Sequence, residues 1–164
     1  MGLAGLTSIA VKAPVTDHTA LVIIETGGCF ADGIRVATGA TVGHRTLRVE
    51  DIGKIAATFG NLASGESVRL APRAGIRSKA SEYAQNEKKH YFAQLTGYQR
   101  MPVEELFCFQ RVKLVTPAAQ IMSRQNARAV CYRCGEEVIN EREVVMNDEV
   151  LCRTCAFGGY YKKM

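Results

Sequence analysis

The chain has 164 residues, 47% of them apolar and 23% charged, with a formal net charge of +5. That is material for one medium domain plus a small module. No apolar run reaches the roughly 18 residues of a membrane-spanning helix. Residues 1–11 lack the basic start and small-residue cleavage site of a secretory signal. We therefore expect a cytoplasmic protein whose six cysteines are reduced or metal-bound, with no membrane partner. Basic and acidic side chains number seven and six over 1–74, seven and four over 75–115, and seven and six over 116–164. No segment is a basic tail or stripe of the kind that tracks nucleic-acid phosphates.

Residues 2–11 place Leu3, Leu6, Ile9 and Ala10 at helical spacing, and Pro14 lies just beyond. The apolar run 21–24, followed by Glu25, fits a buried strand. After Gly27-Gly28, residues 29–38 put Phe30, Ile34 and Ala37 on one helical face, with Gly39 in the C-cap position. Residues 41–46 form a polar loop containing Gly43 and His44. Strands are expected at 54–59 and 67–70, joined by a glycine-bounded turn and ended by Pro72.

The longest helical pattern runs over 78–95, with Ala80, Tyr83, Ala84, Tyr91 and Leu95 on one face and Gly97 as its stop. Pro102 opens a helical turn through Glu105, and 107–115 alternates as a strand. Strands and helices do not alternate as βαβα. The expected fold is α+β, a mostly antiparallel sheet packed by helices, with a small C-terminal zinc module. The expected boundaries are a core over 1–116, a polar linker over 117–128 with helical character at 118–122, and the module over 129–164.

The module carries the strongest chemical signal. Cys131-x-x-Cys134 and Cys152-x-x-Cys155 flank a segment in which Val144, Val145 and Met146 precede Asn147-Asp148, a hairpin with a polar turn. Four thiolates at this spacing close a tetrahedron, and the ion expected there is structural Zn2+. Gly135 follows the first pair, where the knuckle turn favours glycine. Two disulfides would need an oxidising compartment, and a thioredoxin-like pair would be a single Cys-x-x-Cys beside a βαβ unit.

A second candidate is Cys29, which opens a helix after a strand and a glycine turn, a setting that favours a thiolate. Asp32 shares its helical turn, and His44 follows in a glycine loop. The functional reading is a metal-binding or redox cysteine with His44 as a second ligand; the plain one is a small buried thiol in a tight turn. Cys108, between Phe107 and Phe109, is expected in the core.

One stretch resembles a known family. Glu25 followed by Cys29, then Asp32-Gly33-Ile34, Thr38-Gly39-Ala40-Thr41-Val42-Gly43, Asp51-Ile52-Gly53-Lys54 and Phe59 are similar to the E-subunit-like proteins of formylmethanofuran dehydrogenase operons. The paired knuckles resemble that family's auxiliary treble-clef zinc finger. The resemblance implies an α+β core that pairs as a homodimer, a finger that makes protein contacts, and partners in one-carbon and molybdenum- or tungsten-enzyme metabolism. It also implies a core metal or small-ligand site near Cys29, with Asp32, Thr38 and His44 as secondary members.

Two departures remove ligands the family would supply. Ala40 stands where the family has cysteine, and the family's His-x-His-x-Cys-Pro-Gly-like motif, which precedes a helix like that of Met1–Gly5, is absent. We expect either a start that falls after that motif or a member that has lost its chemistry. A second core metal then rests on Cys29. The alternatives are a nucleic-acid-binding regulator using Arg133, Arg142 and Arg153, and a thiol enzyme with Cys29 as nucleophile.

Overall fold

The computed structural model describes residues 1–15, 17–124 and 126–162. The chain divides into two compact units, Met1–Ala118 and Ala119–Met164. The first unit begins with α1 (Gly2–Ser8), β1 (Ala20–Ile24) and α2 (Cys29–Thr38). Next come β2 (Leu47–Val49), β3 (Ala57–Asn61), β4 (Ser67–Pro72), α3 (Ile76–Glu82), α4 (His90–Arg100), α5 (Val103–Leu106) and β5 (Phe107–Val112). The strands form one sheet in the order β2-β1-β3-β4-β5, parallel between β1 and β2 and antiparallel elsewhere. This is the α+β, mostly antiparallel architecture that the element pattern implied.

Register assigns the two faces, because successive strand residues point to opposite sides. Val22 lies opposite Phe59 and Leu47, and Phe59 lies opposite Val68. These residues, with Ile24, Ala57 and Leu70, pack against Leu6, Ile9 and Ile34 from the α1 and α2 segments as the main core. The reverse face carries the cross-strand row Arg48, Ile23, Thr58, Arg69 and Gln110. A single charged strand residue is no surprise; a row containing two arginines on one sheet face is.

Several expectations needed correction. Leu3 is exposed, so the buried side of α1 runs through Gly5 and Leu6 instead. The strand expected at 54–59 starts later, at Ala57. β2 is a three-residue strand that had no period of its own; pairing with β1 creates it. The helix expected over 78–95 is two helices, and Gly97 lies inside the second rather than ending it. A Cβ on Gly97 would sit 2.0 Å from the Ala80 carbonyl oxygen, so glycine is what lets α3 and α4 touch backbone to backbone. Ile76, Ala80 and Met101 form a small core of their own there, joined by Tyr83, Tyr98 and Leu106. Cys108 points to the reverse sheet face with Gln110 and is half-buried, not core.

The second unit holds α6 (Ala118–Met122), β6 (Arg128–Val130), β7 (Glu137–Ile139), β8 (Val144–Met146), β9 (Glu149–Leu151) and α7 (Arg153–Phe157). β6 pairs with β7 and β8 with β9, as two antiparallel hairpins. Among the described residues, no helix is long and apolar enough to cross a membrane.

Candidate metal centre

Each hairpin delivers one cysteine pair. The turn between β6 and β7 is the first knuckle. The Cys131 N–H donates to Glu136 and the Gly135 N–H donates back to Cys131, both at 2.9 Å. Gly135 has φ 73°, the left-handed conformation the turn requires. The Tyr132 N–H donates to the Val150 carbonyl at 2.8 Å, which straps this knuckle onto β9. The β8–β9 turn uses Asn147 and Asp148 at φ 50° and 62°, the pair of positive values of a tight type I′ hairpin. β9 then runs into Cys152, which caps α7: its sulfur accepts the Cys155 N–H at 3.3 Å. Gly158 ends that helix, so Tyr160 and Tyr161 lie outside it.

The result is a cluster in which the four sulfurs lie within 4.8 Å of one another. Cys134 and Cys152 sulfurs are 4.0 Å apart, far beyond a disulfide bond of about 2.05 Å. A tetrahedron with metal–sulfur bonds of about 2.3 Å has edges of about 3.8 Å, so the donor set fits a tetrahedral thiolate ion. Cys131 is buried, with Val138 and Leu151 packed around it and Ala156 against them.

The electrostatics make the same demand. Backbone N–H groups of Cys152 and then Cys134 lower the Cys131 thiol to about 6. The Cys152 sulfur, burial and the other two sulfurs push Cys155 up to about 12. At Cys134 the Glu136 N–H pulls downward, but the Cys131 sulfur and burial outweigh it and the net shift is upward. One thiolate is thus stabilised by the backbone and its neighbours are disfavoured by it. Four thiolates coexist here only around a cation.

The arginines of this unit are largely committed to structure. Arg133 donates to the Cys155 carbonyl at 2.7 Å and Arg142 to the Ile121 carbonyl at 2.6 Å. Arg124 pairs with Glu141 at 2.6 Å, and Arg128 pairs with Glu137. Of the three arginines proposed for phosphate contact, Arg133 and Arg142 already brace the module.

In the first unit, Cys29 is the first residue of α2 and is exposed, not buried in its turn. Asp32 is exposed in the same helical turn. Thr38 is fully buried, with its hydroxyl donating to Ile34 at 2.7 Å and accepting from the Ala40 N–H at 3.2 Å. His44 is exposed and its Nδ1 lies 2.9 Å from the Thr41 hydroxyl, which also accepts the His44 N–H. Among the described residues, the four-sulfur cluster is the one group of three or more His, Cys, Asp or Glu donors within reach of a common ion, and Cys29, Asp32 and His44 form no other.

Two features escaped the sequence reading. Glu25, buried at the end of β1, accepts from Arg69 Nε at 2.6 Å and Nη2 at 2.7 Å. Lys54, Arg69, Arg73 and Arg77 converge on one cleft. A carboxylate closing an apolar strand and the Arg69, Arg73, Arg77 spacing were the signals that could have found them.

Fold and site together define an α+β domain joined to a four-cysteine metal-binding module. Residues 1–108, about two thirds of the chain, match the family model described as FmdE, molybdenum formylmethanofuran dehydrogenase operon, and the chain belongs to that family. A curated relative from Archaeoglobus fulgidus, named a probable S-adenosyl-L-methionine-binding protein, is 29% identical over 86% of this chain. The alignment spans 41% of that relative's length. A solved FmdE-like protein of the tungsten formylmethanofuran dehydrogenase type, from Syntrophus aciditrophicus, has a TM-score of 0.53 and 20% identity, covering 96% of this chain and 82% of its own. That likeness is one of fold.

Proposed function

We propose that this chain is a zinc-binding accessory protein acting beside a molybdenum- or tungsten-dependent one-carbon enzyme. The observation that carries the reading is the four-sulfur cluster, within 4.8 Å and closed by hairpin and helix on all sides. Soft thiolates in a tetrahedron select zinc over harder cations. Cys131, Cys134, Cys152 and Cys155 would hold the ion, which supplies folding free energy and no open position for catalysis. The module would serve protein contact, a role supported by the exposed side chains Val130, Tyr132, Val145 and Phe157.

The core would offer the exposed Cys29 thiol to a metal or small ligand, with Asp32 and His44 as secondary contacts. Support comes from its accessible place at the start of α2 and from the name of the archaeal relative, which is that of a ligand-binding protein. Thr38 would act indirectly, by fixing the end of α2. Pairing into a homodimer is part of the same reading.

Elemental analysis tests it. We expect about one zinc per chain in the native protein, retained in Cys29→Ala and lost in Cys131→Ser. A second metal that disappears with Cys29→Ala would assign the core ligand as a metal. Full zinc in Cys131→Ser would overturn the structural site.

A further inference from the structure

The reverse end of the β3–β4 ladder opens into a cleft of about 510 Å³. Its charge is unlike that of the chain as a whole. Lys54, Arg69, Arg73 and Arg77 line it, and among the described lining residues none is acidic. Elsewhere in 1–74 the signs nearly balance. Arg69 is already neutralised: it grips Glu25 with two nitrogens and gives the third to Gln110 at 3.1 Å. Three positive charges are left over.

Each of those three has a definite place. Arg73 follows the end of β4 and is tied down by its N–H to Leu106 and by its Nε to the Glu104 carbonyl at 2.9 Å. The Glu104 side chain is on the same exposed turn and offsets part of one charge. Arg77 is the second residue of α3. Lys54 comes from the loop held to Glu25 by a 3.1 Å backbone hydrogen bond. Among the described residues, neither Lys54 nor Arg77 belongs to an ion pair. Cations converging without counter-charge repel one another, and an anion in their midst relieves that cost. The same cleft has an apolar side, formed by Ile55 and Ile76.

We propose that this cleft binds an organic phosphate of nucleotide size carrying at least two negative charges. Guanidinium groups match phosphate oxygens bidentately, and Lys54 adds a point charge. The apolar side would take the ring portion, and the volume falls within the range of about 300–1,000 Å³ usual for small-molecule sites. S-adenosylmethionine, with two cationic groups and one carboxylate, has the wrong charge for this cleft.

The test is an NMR and calorimetric titration of the full zinc-loaded chain with ADP, pyrophosphate, adenosine and S-adenosylmethionine at low ionic strength. We expect ADP and pyrophosphate to saturate, with amide shifts centred on residues 54–56 and 69–77, and adenosine and S-adenosylmethionine to bind far more weakly. Lys54→Gln and Arg77→Gln, both at exposed positions, should each weaken ADP about tenfold or more, the scale of a lost charge-assisted hydrogen bond. Arg35→Gln, an equal charge change on α2, should leave binding within about twofold. Absence of saturation, equal weakening by Arg35→Gln, or tighter binding of S-adenosylmethionine than of ADP would overturn the proposal. So would an affinity for single-stranded oligonucleotides that climbs with length past that of ADP, since this marks a nucleic-acid track.

Discussion

Glu25 is 8% exposed, and a carboxylate so placed stays ionised only when its charge is answered. Arg69 answers it through both oxygens, reaching across β3 from β4. The Arg69 hydrogen bonds, assisted by the charges of Arg69 and Lys54, hold the Glu25 carboxyl below its ordinary value of 4.5 against the opposing effect of burial. A depressed folded value means stability that is present above the unfolded value and is lost as pH falls through the folded one. The native protein should therefore lose stability more steeply below about pH 4.5 than Glu25→Gln does, as measured by urea midpoints across an acid series. Arg69→Ala, which strands the carboxylate, should cost about 3 kcal/mol at neutral pH. The double variant Glu25→Gln/Arg69→Met should recover part of that, and a midpoint no better than the single variant would contradict this account.

At the scale of elements, the α3–α4 pair shows where pattern reading stops. The apolar stripe of 78–95 continues in helical phase, so sequence alone joins the two helices. Residues 85–90 are polar and every one is exposed. With no apolar side chain to dock, that stretch has nothing to hold it as a turn of helix against solvent. The chain reverses instead, and α4 returns along α3 with Gly97 on the Ala80 carbonyl. Gly97→Ala ordinarily favours a helix by about 1 kcal/mol. Here it should destabilise by about 2 kcal/mol or more, because the new methyl meets backbone that cannot rotate away. Thermal unfolding decides the sign, and an unchanged or raised midpoint would refute the close packing. The β8–β9 hairpin shows the opposite case: Asn147-Asp148 encode their own turn, so the sequence reading stood.

Across the whole molecule, the two units are held together internally by different means. Met1–Ala118 has an extended buried core on its five-stranded sheet. Ala119–Met164 buries only Met122, Cys131, Val138 and Leu151 among its described apolar residues. A segment this small lies near the limit of about 40 residues below which a chain needs metals or disulfides. Chelation at neutral pH should therefore melt the second unit, seen as collapse of its amide dispersion and rapid proteolysis within it, while the signals of the first unit persist. Loss of both units at one chelator concentration would show that the core depends on the metal as well. The expected linker at 117–128 fares differently along its length: α6 occupies the helical stretch at Ala118–Met122, and Arg124 is tied to Glu141.

Local chemistry was enough to specify the α+β class, the bounds of α2 at Cys29–Thr38, the paired knuckles and the turn between β8 and β9. Each of these rests on neighbours in the chain: glycine and Asn-Asp turns, helical phase, and cysteines spaced to share one ion. The rest came from packing between distant segments. It paired Leu47–Val49 with β1, split one apparent helix into two, turned Cys108 away from the core, and brought Lys54 to Arg73 and Arg77. Those outcomes depend on which segment lies opposite, and that is set by burial and backbone pairing across the whole sheet, which no short window of residues contains.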